Sequence, residues 1–193
     1  MRTAKGHSAG IAARAVFVAM TLSLSAGCGV AVDGAPAAEG SSTATGEQHI
    51  EWNPCSDLAT EALTATGADP TSKDTDFDAP GDRASWRMCA WDAVDDPYFI
   101  GVGASTYTVD QMRENTSVTG FSPVQVNDRS GLQFYPGDEE DPIRRCYVSL
   151  PMAKGSLTVY ADWRYSERSS LPESPPCGLA MRHAQTLEPY LPE

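Results

Sequence analysis

WRMCAWDAVDDPYFIGVGASTYT, residues 86–108, decides the fold. In its first part Trp86, Met88 and Ala90 alternate with Arg87, Cys89 and Trp91. After the turn Asp95-Asp96-Pro97, Ile100, Val102 and Ala104 alternate with Phe99, Gly101 and Gly103. A period of two is the period of a strand. The stretch therefore predicts two antiparallel strands, 86–91 and 98–108, joined as a hairpin. Cys89 and Trp91 share one face of the first strand. On the second strand, glycines leave one face bare, so that another group can approach the backbone closely.

Working outward, a short helix or turn is expected over 109–115. Further strands are expected over 122–126, 131–135, 144–152 and 155–165, the last two joined by Pro151-Met152-Ala153-Lys154-Gly155. Before the hairpin, Asn53-Pro54-Cys55 opens a helix: Asn is a good N-cap, and Pro suits the first helical position because its missing N–H would be unpaired there. Cys55, Leu58 or Ala59, Ala62 and Ala65 recur on one face of it, and Gly67 stops it. After the last strand, Ser174-Pro175-Pro176-Cys177 opens a closing helix. That helix carries Cys177, Ala180 or Met181, Ala184 and Leu187 on one face and ends before Pro189. The expected fold class is α+β: an antiparallel sheet with N- and C-terminal helices packed on it.

The first 27 residues are of a different kind. Arg2, Lys5 and Arg14 precede the apolar run AVFVAMTLSLSA, 15–26, without one acidic residue, and Leu24-Ser25-Ala26-Gly27-Cys28 follows. A basic segment, a short apolar segment and small residues before a cysteine are the pattern of a bacterial lipoprotein signal peptide. The run is too short for a bilayer, which needs about 20 apolar residues. The expectation is a signal peptide over 1–27 and a lipid on the Cys28 thiol, holding the protein to the outer face of the cytoplasmic membrane. Residues 28–49, rich in Ala, Gly, Ser and Thr, read as a flexible tether, and 50–193 as one domain.

Loss of three cations takes the net charge from −12 to −15. Such an acidic chain lacks the basic footprint that nucleic acid or anionic lipid demands. Beyond Cys28 an even number of cysteines remains, Cys55, Cys89, Cys146 and Cys177, as expected of an exported chain with disulfides. Of the three possible connectivities, Cys55–Cys89 with Cys146–Cys177 is expected. Its two loops are similar in size, and each disulfide would pin a helix start to a strand.

At these residues the chain resembles a family of actinobacterial cell-envelope lipoproteins of unknown function, of the mycobacterial LprB and LprC type. The resemblance rests on the lipid-attachment motif at Cys28, the tether, Asn53-Pro54-Cys55, Cys89-Ala90-Trp91, and Pro176-Cys177 ahead of Leu187-Glu188-Pro189. The chain departs from it in the first helix, where Thr60-Glu61 is displaced and the face is rich in alanine. The resemblance implies an envelope lipoprotein and supplies no catalytic residues.

No Gly-x-Ser-x-Gly occurs, and Gly101-Val-Gly103 lacks the later glycine and helix start of a phosphate cradle. His183 is expected on the surface of the last helix, away from the Cys177 face, and His49 in the tether. The acidic groups Asp92, Asp95, Asp96 and Asp138-Glu139-Glu140-Asp141 read as solvated turns without the spacing of a calcium loop. No metal or cofactor is expected. Among the aromatics, Trp91, Tyr98, Tyr107 and Trp163 are the candidates for a ligand groove. The function expected is a non-catalytic binding module for an envelope ligand or protein; the alternative is an envelope hydrolase using paired carboxylates.

Overall fold

The computed structural model describes residues 49–79, 81 and 84–193. Cys28, the signal segment and all but the last residue of the expected tether lie outside the described residues. Six antiparallel strands make one sheet: β1 (Trp86–Asp92), β2 (Tyr98–Ser105), β3 (Val118–Val126), β4 (Arg129–Pro136), β5 (Arg145–Met152) and β6 (Gly155–Trp163), in the order β1-β2-β6-β5-β4-β3. The hairpin register pairs Cys89 with Val102 and Trp91 with Ile100, so the alternation in 86–108 translates directly into two faces.

One face carries Cys89, Trp91, Ile100, Val102, Val148, Leu150, Leu157, Val159 and Ala161, all in one buried cluster with Leu179, Ala180, Ala184 and Leu187. The latter four belong to α4 (Cys177–Leu187), which lies against β5 and β6. The segment expected to be one N-terminal helix is two: α1 (Pro54–Asp57) and α2 (Thr60–Ala65). The Asn53 side chain accepts from the Cys55 N–H at 2.9 Å, while the Asp57 carboxylate accepts from the Asn53 N–H at 2.8 Å. That exchange closes the first turn on itself. Leu58 then turns extended and enters the core, and α2 ends at Gly67 in the left-handed region.

Disulfides join Cys55 of α1 to Cys89 of β1, and Cys146 of β5 to Cys177 of α4. Both lie on the helix-covered face. Hydrophobic burial holds a helix against a sheet without fixing its position along the strand, and a bond at each helix start adds that constraint. The sequence separations are 34 and 31 residues, and closing loops of that size removes unfolded-chain entropy worth about 3.7 kcal/mol each.

The strand order forces one long connection. β2 is second from one edge and β3 forms the other edge, so residues 106–117 must cross the sheet. They do so over the face opposite α4. Within them α3 (Val109–Met112) is set by a capping box: the Thr108 hydroxyl accepts from the Gln111 N–H, and the Gln111 side chain accepts from the Thr108 N–H at 2.9 Å.

Replacing Cys55 and Cys89 together by Ala should lower the free energy of unfolding by about 3–4 kcal/mol. Urea denaturation of the oxidised wild type and the double variant measures it. A change below about 1 kcal/mol would mean that α1 is held by packing alone.

Candidate functional site

The four aromatics expected to line a groove do not line one together. Trp91, Tyr98 and Trp163 are on the helix-covered face and are core residues, 2%, 5% and 5% exposed. Tyr98 and Trp163 stack with their centroids 5.5 Å apart. The Trp91 indole N–H is buried without a hydrogen-bond partner. Their faces follow from parity: each shares the alternation of Cys89 or Ile100, and that face is sealed by α4. Tyr107 is different. It lies in the β2–β3 crossing and is half exposed.

His183 is also corrected. It is buried, not on the surface. One ring nitrogen, Nδ1, shares a hydrogen bond with the Thr66 hydroxyl at 2.9 Å, and the other, Nε2, with the Tyr98 hydroxyl at 2.8 Å. Because α2 also packs on α4, the helix buries a wider stripe than the sheet alone would cover, and His183 falls inside it. Burial, and secondarily the Arg182 charge, lowers its pKa to about 4. Burial and then Asp96 raise that of Tyr98. With both ring nitrogens engaged, the buried histidine ties α2, β2 and α4 together.

An apolar groove forms on the other face. Its floor is Gly103 of β2, Thr158 of β6, Tyr147 of β5 and Phe134 of β4. One wall is Trp86 and Met88 of β1; the other is Tyr107, Met112 and Asn115 of the β2–β3 crossing, with Val118 at the start of β3. It encloses about 280 Å³. The two glycines of β2 have separate duties. A Cβ at Gly101 would fall inside the Tyr160 ring, so this glycine admits the ring that closes the sheet beyond the groove. A Cβ at Gly103 would meet only ordinary contacts at 3.4 Å, so this glycine leaves open space above the strand.

Past the floor, the aromatic row Phe134, Tyr147 and Tyr160 runs toward a charged cluster. Arg145 bonds Asp162 and reaches the Tyr147 hydroxyl at 3.3 Å; Arg144 bonds Glu139 at 2.7 Å and Asp162 at 3.5 Å. Burial works against the charge of Arg145, but Tyr147 and Asp162 more than offset it, so its pKa is raised. Burial likewise raises the Tyr160 hydroxyl, against the pull of Arg145. Asp92 is paired with Arg164 at 2.6 Å. These carboxylates are thus engaged by arginines, and among the described residues no group of three or more His, Cys, Asp or Glu converges as a metal site.

The sequence reading missed Met88, Met112, Asn115, Val118 and Phe134. The one signal present was the bare glycine face of 98–108, which is the groove floor. Comparison with known families places the chain: the family profile described as "Protein of unknown function (DUF3558)" matches residues 23–190, and the chain belongs to that family. No curated protein and no solved structure matches it.

Because unfolded histidine titrates near 6.5 and His183 near 4 in the fold, the unfolded chain binds the extra proton between those values. Stability from this group is complete above about pH 6.5 and falls by about 3 kcal/mol as the pH drops to about 4. Chemical denaturation across that window should show the loss, and His183→Gln should flatten it. An equal slope in the variant would assign the effect to other groups.

Proposed function

We propose that the chain is a membrane-anchored extracytoplasmic lipoprotein of the LprB and LprC kind, and that its domain is a non-catalytic ligand-binding module of the cell envelope. The observation that carries the binding half is the groove: among the described residues none that lines it is charged, in a chain in which 21% of residues are charged. A concave, mostly apolar surface with a few polar groups is the ordinary character of a ligand site. In this reading the opposite face is the structural side, with N- and C-terminal helices pinned at their starts by disulfides. The anchoring half is supported by the signal pattern ending at Cys28. Residues 28–49, rich in Gly, Ser and Ala, have the composition of a tether between such an anchor and the domain. More than one acyl chain on the amino-terminal cysteine makes such anchoring stable, where a single chain is marginal.

Cys28→Ala should move the protein from the membrane fraction to the soluble fraction of fractionated cells; retention in the membrane would refute the lipid anchor. For the binding half, benzoylphenylalanine placed at Tyr107 and irradiated in intact cells should yield a small-molecule adduct that the same probe at Val94 does not. Val94 is 65% exposed and does not line the groove. The same adducts at both positions, or none at Tyr107, would overturn the ligand-binding reading.

A further inference from the structure

We infer that the groove takes a saturated hydrocarbon chain, that of a free envelope lipid; this rests on the reading of the groove as a ligand site and names its ligand class. Most hydroxyls in the lining are already held by partners within the protein. The Ser105 hydroxyl already donates to the Ser85 carbonyl and accepts from the Tyr107 N–H. The Thr158 hydroxyl donates to Ser149, the Tyr147 hydroxyl accepts from Arg145, and the Asn115 side-chain carbonyl accepts from the Ser117 N–H. A sugar or peptide would bring several hydroxyls and amides into a surface where these hydroxyls already have partners, leaving only the Asn115 amide N–H and the Tyr107 hydroxyl at the exposed wall to meet them, and burying the rest unpaired is unfavourable. A hydrocarbon brings none.

The apolar part of the lining fits a chain rather than a rigid ring. Met88 and Met112 face the space from opposite walls, and an unbranched thioether adjusts its shape to an irregular occupant. The groove offers about 280 Å³ of open space, room for a short run of methylenes laid along it. Charge agrees as well. With no cation among the described lining residues, a carboxylate or phosphate headgroup finds no ion partner there and stays outside, beyond Trp86 and Tyr107, both of which are exposed.

Gly103 supplies the test. Its backbone is not in the left-handed region, and a Cβ there meets nothing closer than 3.4 Å, so Gly103→Leu fills the groove while the strand is kept. The full mature chain is made with Cys28→Ser, so that it carries no lipid of its own, and titrated with a terminally brominated decanol. Bromine quenches tryptophan on contact, and Trp86 is the tryptophan that lines the groove.

Saturable quenching that disappears in Trp86→Phe and is weakened about tenfold or more in Gly103→Leu supports the inference. If Gly103→Leu does not fold, Met112→Glu, on the half-buried wall, should weaken the quenching likewise. Quenching that does not saturate, or is unchanged in the variants, overturns the hydrocarbon assignment. So does a dimer at working concentration that the alcohol cannot dissociate, which would make a second copy the occupant. If the alcohol fails while the Tyr107 crosslink in cells gives its adduct, only the ligand class falls; if both fail, the binding reading falls with it.

Discussion

Every residue of β6, from Gly155 to Trp163, is buried, and a strand buried on both sides requires cover on both faces of its sheet. The sequence GSLTVYADW meets that demand unequally. Leu157, Val159, Ala161 and Trp163 are apolar and enter the core under α4. Ser156, Thr158, Tyr160 and Asp162 point the other way, where each polar atom needs a partner. Ser156 donates to the Tyr107 carbonyl at 2.7 Å, Thr158 to Ser149, and Asp162 receives two arginines. The second face is therefore sealed by a polar network at one end and by the β2–β3 crossing at the other. The groove is the space between the two.

This division explains how much could be read in advance. Strand positions follow from alternation, and the cysteines predicted the two cross-links, but not the break of the first helix into α1 and α2. The aromatics were harder, because residue type alone does not say which face a ring occupies. Trp91 shares the parity of Cys89, and the disulfide face is the helix-covered one, so its burial was implicit in residues 86–91. Tyr98 and Trp163 follow Ile100 and Ala161 in the same way. The groove walls were not legible. Met112, Asn115 and Val118 reach Met88 only because β3 lies at the far edge, and strand order is a property of the whole chain rather than of any local pattern.

His183 illustrates the other limit of local reading. Its place around α4 differs from that of Cys177, and a helix covered by a sheet alone would leave it wet. Here α2 packs on α4 too, so Leu179, Ala180 and His183 are all covered. The polar ring is tolerated because Thr66 and Tyr98 satisfy both nitrogens. A break after Asp57 lets Leu58 enter the core, and α2 then brings Thr66 to the ring. The irregularity in the first helix and the buried histidine belong to the same packing solution.

Both disulfides lie on the same face, and that asymmetry bears on motion. The helix side is cross-linked to β1 and β5, so local opening there must carry strands with it. The crossing over the groove has no covalent tie among its described residues. It holds a four-residue helix, too short to persist alone, fixed by a capping box and a few hydrogen bonds. Segments of that kind open at free energies well below that of the whole domain. Amide exchange should therefore be fast over residues 106–117 and slow over β6 beneath them. The molecule is rigid on one side and able to breathe on the other, and the breathing side is the one a long flexible guest would have to enter.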